Sequence, residues 1–201
     1  VQTVSSLDEL HALYGAPAAS SLLKVAPRLA PQYRRWIEAS RFCILSTVGP
    51  EGTDASPRGD NGPVVGILDE TTLALPDWHG NNRIDSLRNI VRDSRASLMF
   101  LVPGSNNVVR VNGTARVSAD ETLCGRFARE GRAPRSVIVI AVGEVYFQCA
   151  RALIRSALWT SGDLSAGLPS AGEMLAEASR GAEGGADYDA AWPARAAKTM
   201  W

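Results

Sequence analysis

The residues best equipped for chemistry lie in Leu75-Pro-Asp-Trp-His-Gly-Asn-Asn-Arg-Ile-Asp-Ser-Leu-Arg-Asn-Ile90, where an apolar strand pattern breaks at Pro76 and turns helical. Gly80, Asn81 and Asn82 fall where the first turn of a helix leaves backbone N–H groups unpaired, and Arg83, Ser86 and Arg88 add donors at the same end. Such a junction suits an anion, a phosphate above all. A capped surface helix with solvated arginines has the same composition, and this segment alone favours neither reading. Further on, Arg151 and Arg155 stand one turn apart in a helical stretch, a spacing that suits a carboxylate or phosphate and equally a solvated face. Asp54, Asp60, Asp77 and Asp85 read as partners of Arg58 and Arg83 rather than as general bases. His79 is a single turn histidine, weak evidence for an acid or a donor.

Other chemistries lack their residues. There is no Ser/His/Asp set and no pair of catalytic carboxylates. Cys43, Cys124 and Cys149, with only His11 and His79 to help, have no metal-ligand spacing. Cys43 and Cys149 sit in apolar contexts and are expected to be unreactive. Across 201 residues, 21 basic and 21 acidic side chains balance, which removes any bulk electrostatic reason to expect nucleic acid or an anionic membrane as partner. No stretch reads as a signal peptide or a bilayer span, and the odd number of cysteines suits reduced thiols, so a cytoplasmic protein is expected.

The elements that must position the anion site follow from periodicity. Apolar residues recur at helical spacing from Leu7 to Tyr14 and from Ala18 to Val25, and Pro31 to Ala39 opens with proline at a helix's first position. Phe42 to Val48 and Thr53 to Arg58 read as a hairpin across Gly49-Pro-Glu-Gly52, and Val64 to Leu68 and Thr72 to Leu75 as another. A helix over 81–91 then leads to strands at Ala96 to Val102, Val108 to Val117 and Ser136 to Tyr146, with Ser118 and Glu121 as a capping box for a helix through Phe127. Helical spacing returns from Ala150 to Trp159. A short helix is expected from Gly172 to Arg180, a flexible link from Gly181 to Asp187, and docking of Trp192, Met200 and Trp201 on the body or on a partner subunit. Short strands at close spacing, interrupted by two helices, favour a small antiparallel barrel.

Several blocks in a fixed order carry a resemblance. Ser56-Pro-Arg-Gly-Asp60, Leu75-Pro-Asp77, Gly80-Asn-Asn-Arg-Ile-Asp-Ser-Leu-Arg-Asn89, Val109-Arg-Val-Asn-Gly113 and Cys149-Ala-Arg-Ala-Leu-Ile-Arg-Ser-Ala-Leu-Trp159 resemble the pyridoxamine-phosphate-oxidase-like flavoproteins, over roughly residues 10 to 160. More narrowly they are similar to the FMN-dependent branch with SPRGD and GNNR-DSLRN blocks. The resemblance implies a mainly β protein with flanking helices, an FMN-binding split β-barrel. It also implies a homodimer with two FMN molecules at the interface, each touched by both chains. The expected organisation is a helical extension over 1–40, the barrel over 41–160 and a helical or irregular extension over 161–201.

An FMN phosphate carries about two negative charges near neutrality, so a neutral protein must gather cations and N–H groups at one spot to hold it. By the family's pattern the phosphate falls to Arg58, Asn81, Asn82, Arg83 and Ser86. Arg110 is the candidate for positive charge near the N1/O2 edge of the ring, and Asp60, Pro76 and Asp77 for further ring contacts. Arg151, Arg155 and Trp159 are expected on the open flavin face from the second subunit. The arginine- and histidine-containing C-terminal signature of the true oxidases is replaced here by the Cys149 to Trp159 block, so vitamin B6 is not the expected substrate. The resemblance implies an FMN-dependent oxidoreductase acting on a small organic substrate. A flavin or haem carrier, a ligand sensor, or a deazaflavin-dependent reductase on the same barrel remain open.

Overall fold

The computed structural model describes residues 1–200. Three helices lead in: α1 (Leu7–Tyr14), α2 (Ala19–Leu23) and α3 (Pro31–Ala39). Ser6 caps α1 by accepting the Glu9 N–H at 3.2 Å, but α1 and α2 bury no residue. Helix α3 is different. It drives Ile37 into the barrel, and Leu29 just ahead of it is buried in the same core, so the lead-in joins the main body before residue 40.

Seven strands follow: β1 (Phe42–Gly49), β2 (Gly52–Gly59), β3 (Gly66–Ile67), β4 (Thr72–Asp77), β5 (Arg95–Leu101), β6 (Val108–Ser118) and β7 (Ser136–Gln148). Every ladder is antiparallel, in the order β2-β1-β5-β6-β7-β4-β3. Helix α4 (Asp85–Arg92) joins β4 to β5 and packs on β1, and α5 (Glu121–Gly125) joins β6 to β7. The sheet curls until edge strand β2 meets the end of β4, where Arg58 and Asp77 pair at 2.5 Å. No backbone ladder joins β2 to β3 among the described residues. The result is a split β-barrel with flanking helices.

Alternation places the core. Cys43 and Leu45 of β1, Leu98 and Phe100 of β5 and Val109 and Val111 of β6 point inward and are buried, each large side chain contributing about 1.5–3 kcal/mol of transfer free energy. β4 and the start of β7 are covered on both faces: Leu73, Leu75, Ile138 and Ile140 belong to the barrel core, while Ala74 and Val137 pack with Cys124 and Phe127 beneath α5. That explains their unbroken apolar runs. A bulge falls between Asn112 and Gly113, where a β-carbon on Gly113 would lie 2.0 Å from the Ala141 carbonyl oxygen.

Several expectations need correction. Helix α4 starts at Asp85, not 81, because Asn82 and Ile84 hold left-handed backbone (φ +60° and +54°), which a right-handed helix cannot include. Helix α5 is capped by Asp120, whose Oδ1 accepts the Leu123 N–H at 2.7 Å, since β6 itself extends through Ser118. Helix α6 (Arg151–Arg155) ends well before Trp159, at a turn in which Ala157 has φ +49°. The segment expected to be a flexible link is a packed turn between α7 (Ala171–Ala178) and α8 (Ala186–Thr199): the Gly185 N–H donates to the Gly172 carbonyl at 2.8 Å, and the Asp189 carboxylate accepts the Gly172 N–H at 2.8 Å. Helix α8 has too little apolar periodicity to be read from sequence. The expected docking of Trp201 lies outside the described residues. No helix among the described residues is long and apolar enough to cross a membrane.

Candidate functional site

Across the β1–β2 ladder, Asp54, Ser56 and Arg58 stand opposite Thr47, Leu45 and Cys43 and share their inward face. β2 is an edge strand, so the inner wall of the barrel turns polar where it reaches the seam. The end of β4, the 78–84 loop, the start of α4 and Arg135-Ser136 at the head of β7 complete a cleft of about 1110 Å³. Small-molecule sites generally span roughly 300–1,000 Å³, so this one is roomy enough for a nucleotide with a fused ring system.

The cleft's polar side chains are bound to one another. Arg58 Nη1 donates to Asp77 Oδ1 at 2.5 Å, and its Nε is buried without a partner. Asp60 is turned into the protein, its side chain 2% exposed, accepting from the Gly62 N–H at 3.1 Å, Trp78 Nε1 at 3.3 Å and Arg129 Nη2 at 3.2 Å. Asn81 Oδ1 accepts the Arg83 N–H at 3.1 Å, and Arg83 Nε reaches Asp85 Oδ2 at 2.8 Å from a side chain 76% exposed. Ser86, buried at the first turn of α4, donates to Asp54 Oδ2 at 2.5 Å. Behind the wall, burial pushes the Cys43 thiol up to about 12, with the Arg58 charge pulling weakly the other way.

All the expected cofactor residues except Arg110 line this cleft: Arg58, Asp60, Pro76, Asp77, Asn81, Asn82, Arg83 and Ser86. The anticipated row of free N–H groups at 80–82 is not a helix terminus, however, and the first turn of α4 carries Asp85, an acid that already answers the positive end of the helix dipole. Arg110 lies on β6 instead, 5.4 Å over the Tyr146 ring, with Nη1 3.4 Å from Gln148 Oε1. Arg151 and Arg155 are exposed on α6, and Trp159 Nε1 donates to the Ser105 carbonyl at 2.8 Å. None of these four residues touches the cleft of its own chain. Cys149, expected to be inert, is exposed because β7 ends at Gln148 and leaves it beyond the sheet.

Sequence reasoning missed Trp78 and Arg135, both in the cleft wall. Their signal was in the register: Asp77 pairs with Ser136, so the chain just past Asp77 and just before Ser136 must lie side by side. Two lining side chains, Asp54 and Ser56, were legible from their two-residue spacing to Arg58.

A variant of HupZ from Group A Streptococcus superposes with a TM-score of 0.50 at 16% identity, over 59% of this chain and 98% of that one. General Stress Protein 26 from Bacillus anthracis (TM-score 0.43, 17% identity, 57% and 88% covered) and an F420 reductase (TM-score 0.43, 18% identity, 60% and 98% covered) are weaker matches. At such identities the likeness is one of fold. No curated protein matches the chain. The sequence model of pyridoxamine 5'-phosphate oxidase matches residues 29–149, more than half of the chain and nearly all of the barrel that builds the cleft, and on that ground the chain belongs to the pyridoxamine 5'-phosphate oxidase family.

Proposed function

We propose that this protein is an FMN-dependent oxidoreductase acting on a small organic substrate, in a cleft that a second copy of the chain completes. The observation that carries this reading is Arg58, a half-buried arginine whose guanidinium Asp77 holds in the wall of a nucleotide-sized cleft. A guanidinium anchored through one nitrogen keeps further N–H donors for an anion in the cleft. Bound FMN supplies two-electron exchange at N5 of its ring.

The chain's own residues would hold and shield that group. Arg58 gives the cleft wall a positive charge for an anion, and Val64, Leu75 and Pro76 form a water-excluding wall. Asp77 holds Arg58 in place from the opposite side of the seam. Arg110, Arg151, Arg155 and Trp159 can reach a bound flavin only from a second copy, which ties the proposed homodimer to the proposed chemistry.

Purified protein, with its ligand released and weighed, tests the reading. A mass equal to FMN, reduction of the bound flavin by NADH or NADPH and acceptor-dependent reoxidation are expected. A deazaflavin mass would move the protein to the alternative cofactor, and bound FMN without acceptor-specific reoxidation would make it a carrier. Protein that takes up no added flavin contradicts the proposal.

A further inference from the structure

Two unpartnered apolar surfaces of this chain complement each other. Helix α1 is eight residues long and buries none of them, leaving Leu7, Leu10, Leu13 and Tyr14 exposed. At helical spacing these four side chains form one stripe, flanked by Asp8 and Glu9, and the helix carries no lysine or arginine. A helix shorter than about 12–15 residues is marginal in water on its own, so α1 needs a surface to hold it.

The second surface is a groove between α4 and β6. Ile84, Leu87, Val91 and Val117 line it together with Arg88 and Arg92, around a volume of about 210 Å³. Small-molecule sites begin at roughly 300 Å³, so this one suits aliphatic side chains entering from a helix. Val91 is 78% exposed. Arg92 pairs with Glu51, whereas Arg88 forms no ion pair among the described residues.

Charge selects the occupant. Leu22 and Leu23 of α2 are exposed too, but that helix has no acid, and the acids of α7 stand on a helix already fastened to α8. Helix α1 brings an apolar stripe and two acids together. In its own chain it stands clear of the groove, since none of its residues lines it. The segment that follows is pinned elsewhere: Ala26 and Val145 exchange backbone hydrogen bonds at 2.9 and 2.8 Å, level with Val111, six positions along β6 from Val117. At strand spacing that is about 20 Å.

We infer that α1 of a second copy docks in the groove between α4 and β6, its leucines seated against Leu87, Val91 and Val117 and its acids facing Arg88. Reciprocal exchange about a twofold axis fills both grooves. The docking requires no ligand in the cleft.

Cross-linking in a Cys149→Ser background tests this, because the other two native thiols are buried. Chains carrying Leu10→Cys and chains carrying Val91→Cys, differently tagged and co-expressed, should form a disulfide-linked pair on mild oxidation. Ser161→Cys, at an exposed position outside the groove, should not replace Val91→Cys. In the full chain, α1 amides should be protected from exchange in wild type and exchange at least about tenfold faster in Val91→Asp, with a smaller acceleration in Arg88→Glu. Thermal melts confirm that each variant is folded. Unprotected α1 amides in wild type, exchange unchanged by Val91→Asp, or equal cross-linking through Ser161→Cys overturns the inference. A disulfide that forms within one chain carrying both cysteines, and not between chains, places α1 on its own α4 and also overturns it.

Discussion

Asp60 offers the sharpest test of how the cleft is built. Its carboxylate is almost wholly enclosed and joins three segments: the turn after β2 through Gly62, the 78–84 loop through Trp78, and the connection after α5 through Arg129. Asp60→Ala removes all three acceptor contacts at once. The two neutral hydrogen bonds are worth about 1 kcal/mol each. The charged one belongs near the low end of its range, about 1.5 kcal/mol, because Arg129 is 41% exposed and solvent screens what remains. The sum is a loss of about 3.5 kcal/mol, or roughly 7–14 °C in Tm for a domain of this size. Asp60→Asn keeps the shape and one acceptor oxygen and should lose about half as much. Urea unfolding followed by far-UV circular dichroism gives the stabilities, and tryptophan emission reports whether Trp78 has left its place. If Asp60→Ala unfolds within about 0.5 kcal/mol of wild type, the carboxylate does not hold these segments together. If Asp60→Asn keeps full stability yet loses flavin, the residue contacts the ligand directly and its inward orientation has been misjudged.

Three further outcomes follow from particular contacts. Gly113→Ala should destabilise by about 2–3 kcal/mol in denaturant melts, because the new β-carbon meets the Ala141 carbonyl at the bulge; a neutral result would mean that the two strands separate freely there. Cys43 is raised from 9.0 to about 12 in the fold, so its contribution is intact below pH 9 and is lost as the pH climbs toward 12, when only the unfolded thiol ionises; wild type should therefore lose about 1.4 kcal/mol per pH unit relative to Cys43→Ala over that window, and parallel pH profiles would refute this. Ser170→Ala removes a capping box in which Ser170 and Glu173 exchange hydrogen bonds, and should speed amide exchange across α7 by about fivefold, equivalent to about 1 kcal/mol, with unchanged exchange showing that the box does not support the helix.

Much of the barrel was readable because its signals are local. The apolar alternation of β1, β5 and β6 and the Gly49-Pro-Glu-Gly52 turn require nothing beyond neighbouring residues. Most of the cleft wall was readable for another reason: Ser56 to Asp60 and Leu75 to Ser86 form two contiguous blocks that the seam brings face to face. Long-range geometry supplied the rest. Arg135 is separated in sequence from both blocks, and only the β4–β7 register places it beside Asp77. The start of α4 was misplaced because an isoleucine at φ +54° has no sequence signature. Helix α8 was missed because its alanines and Pro193 give weak periodicity, while its stability comes from contacts with α7. Arg110, Arg151, Arg155 and Trp159 were linked to the flavin by family pattern, and in a single chain they lie apart from the cleft.

The central claim is that the seam between β2 and β4 grips a flavin phosphate, and Arg58 is where it can be struck most directly. Equilibrium titration of FMN into wild type and Arg58→Ala, both checked for folding, should show tight binding by wild type and a loss of about tenfold or more in the variant. Equal affinity in the two proteins would contradict the account.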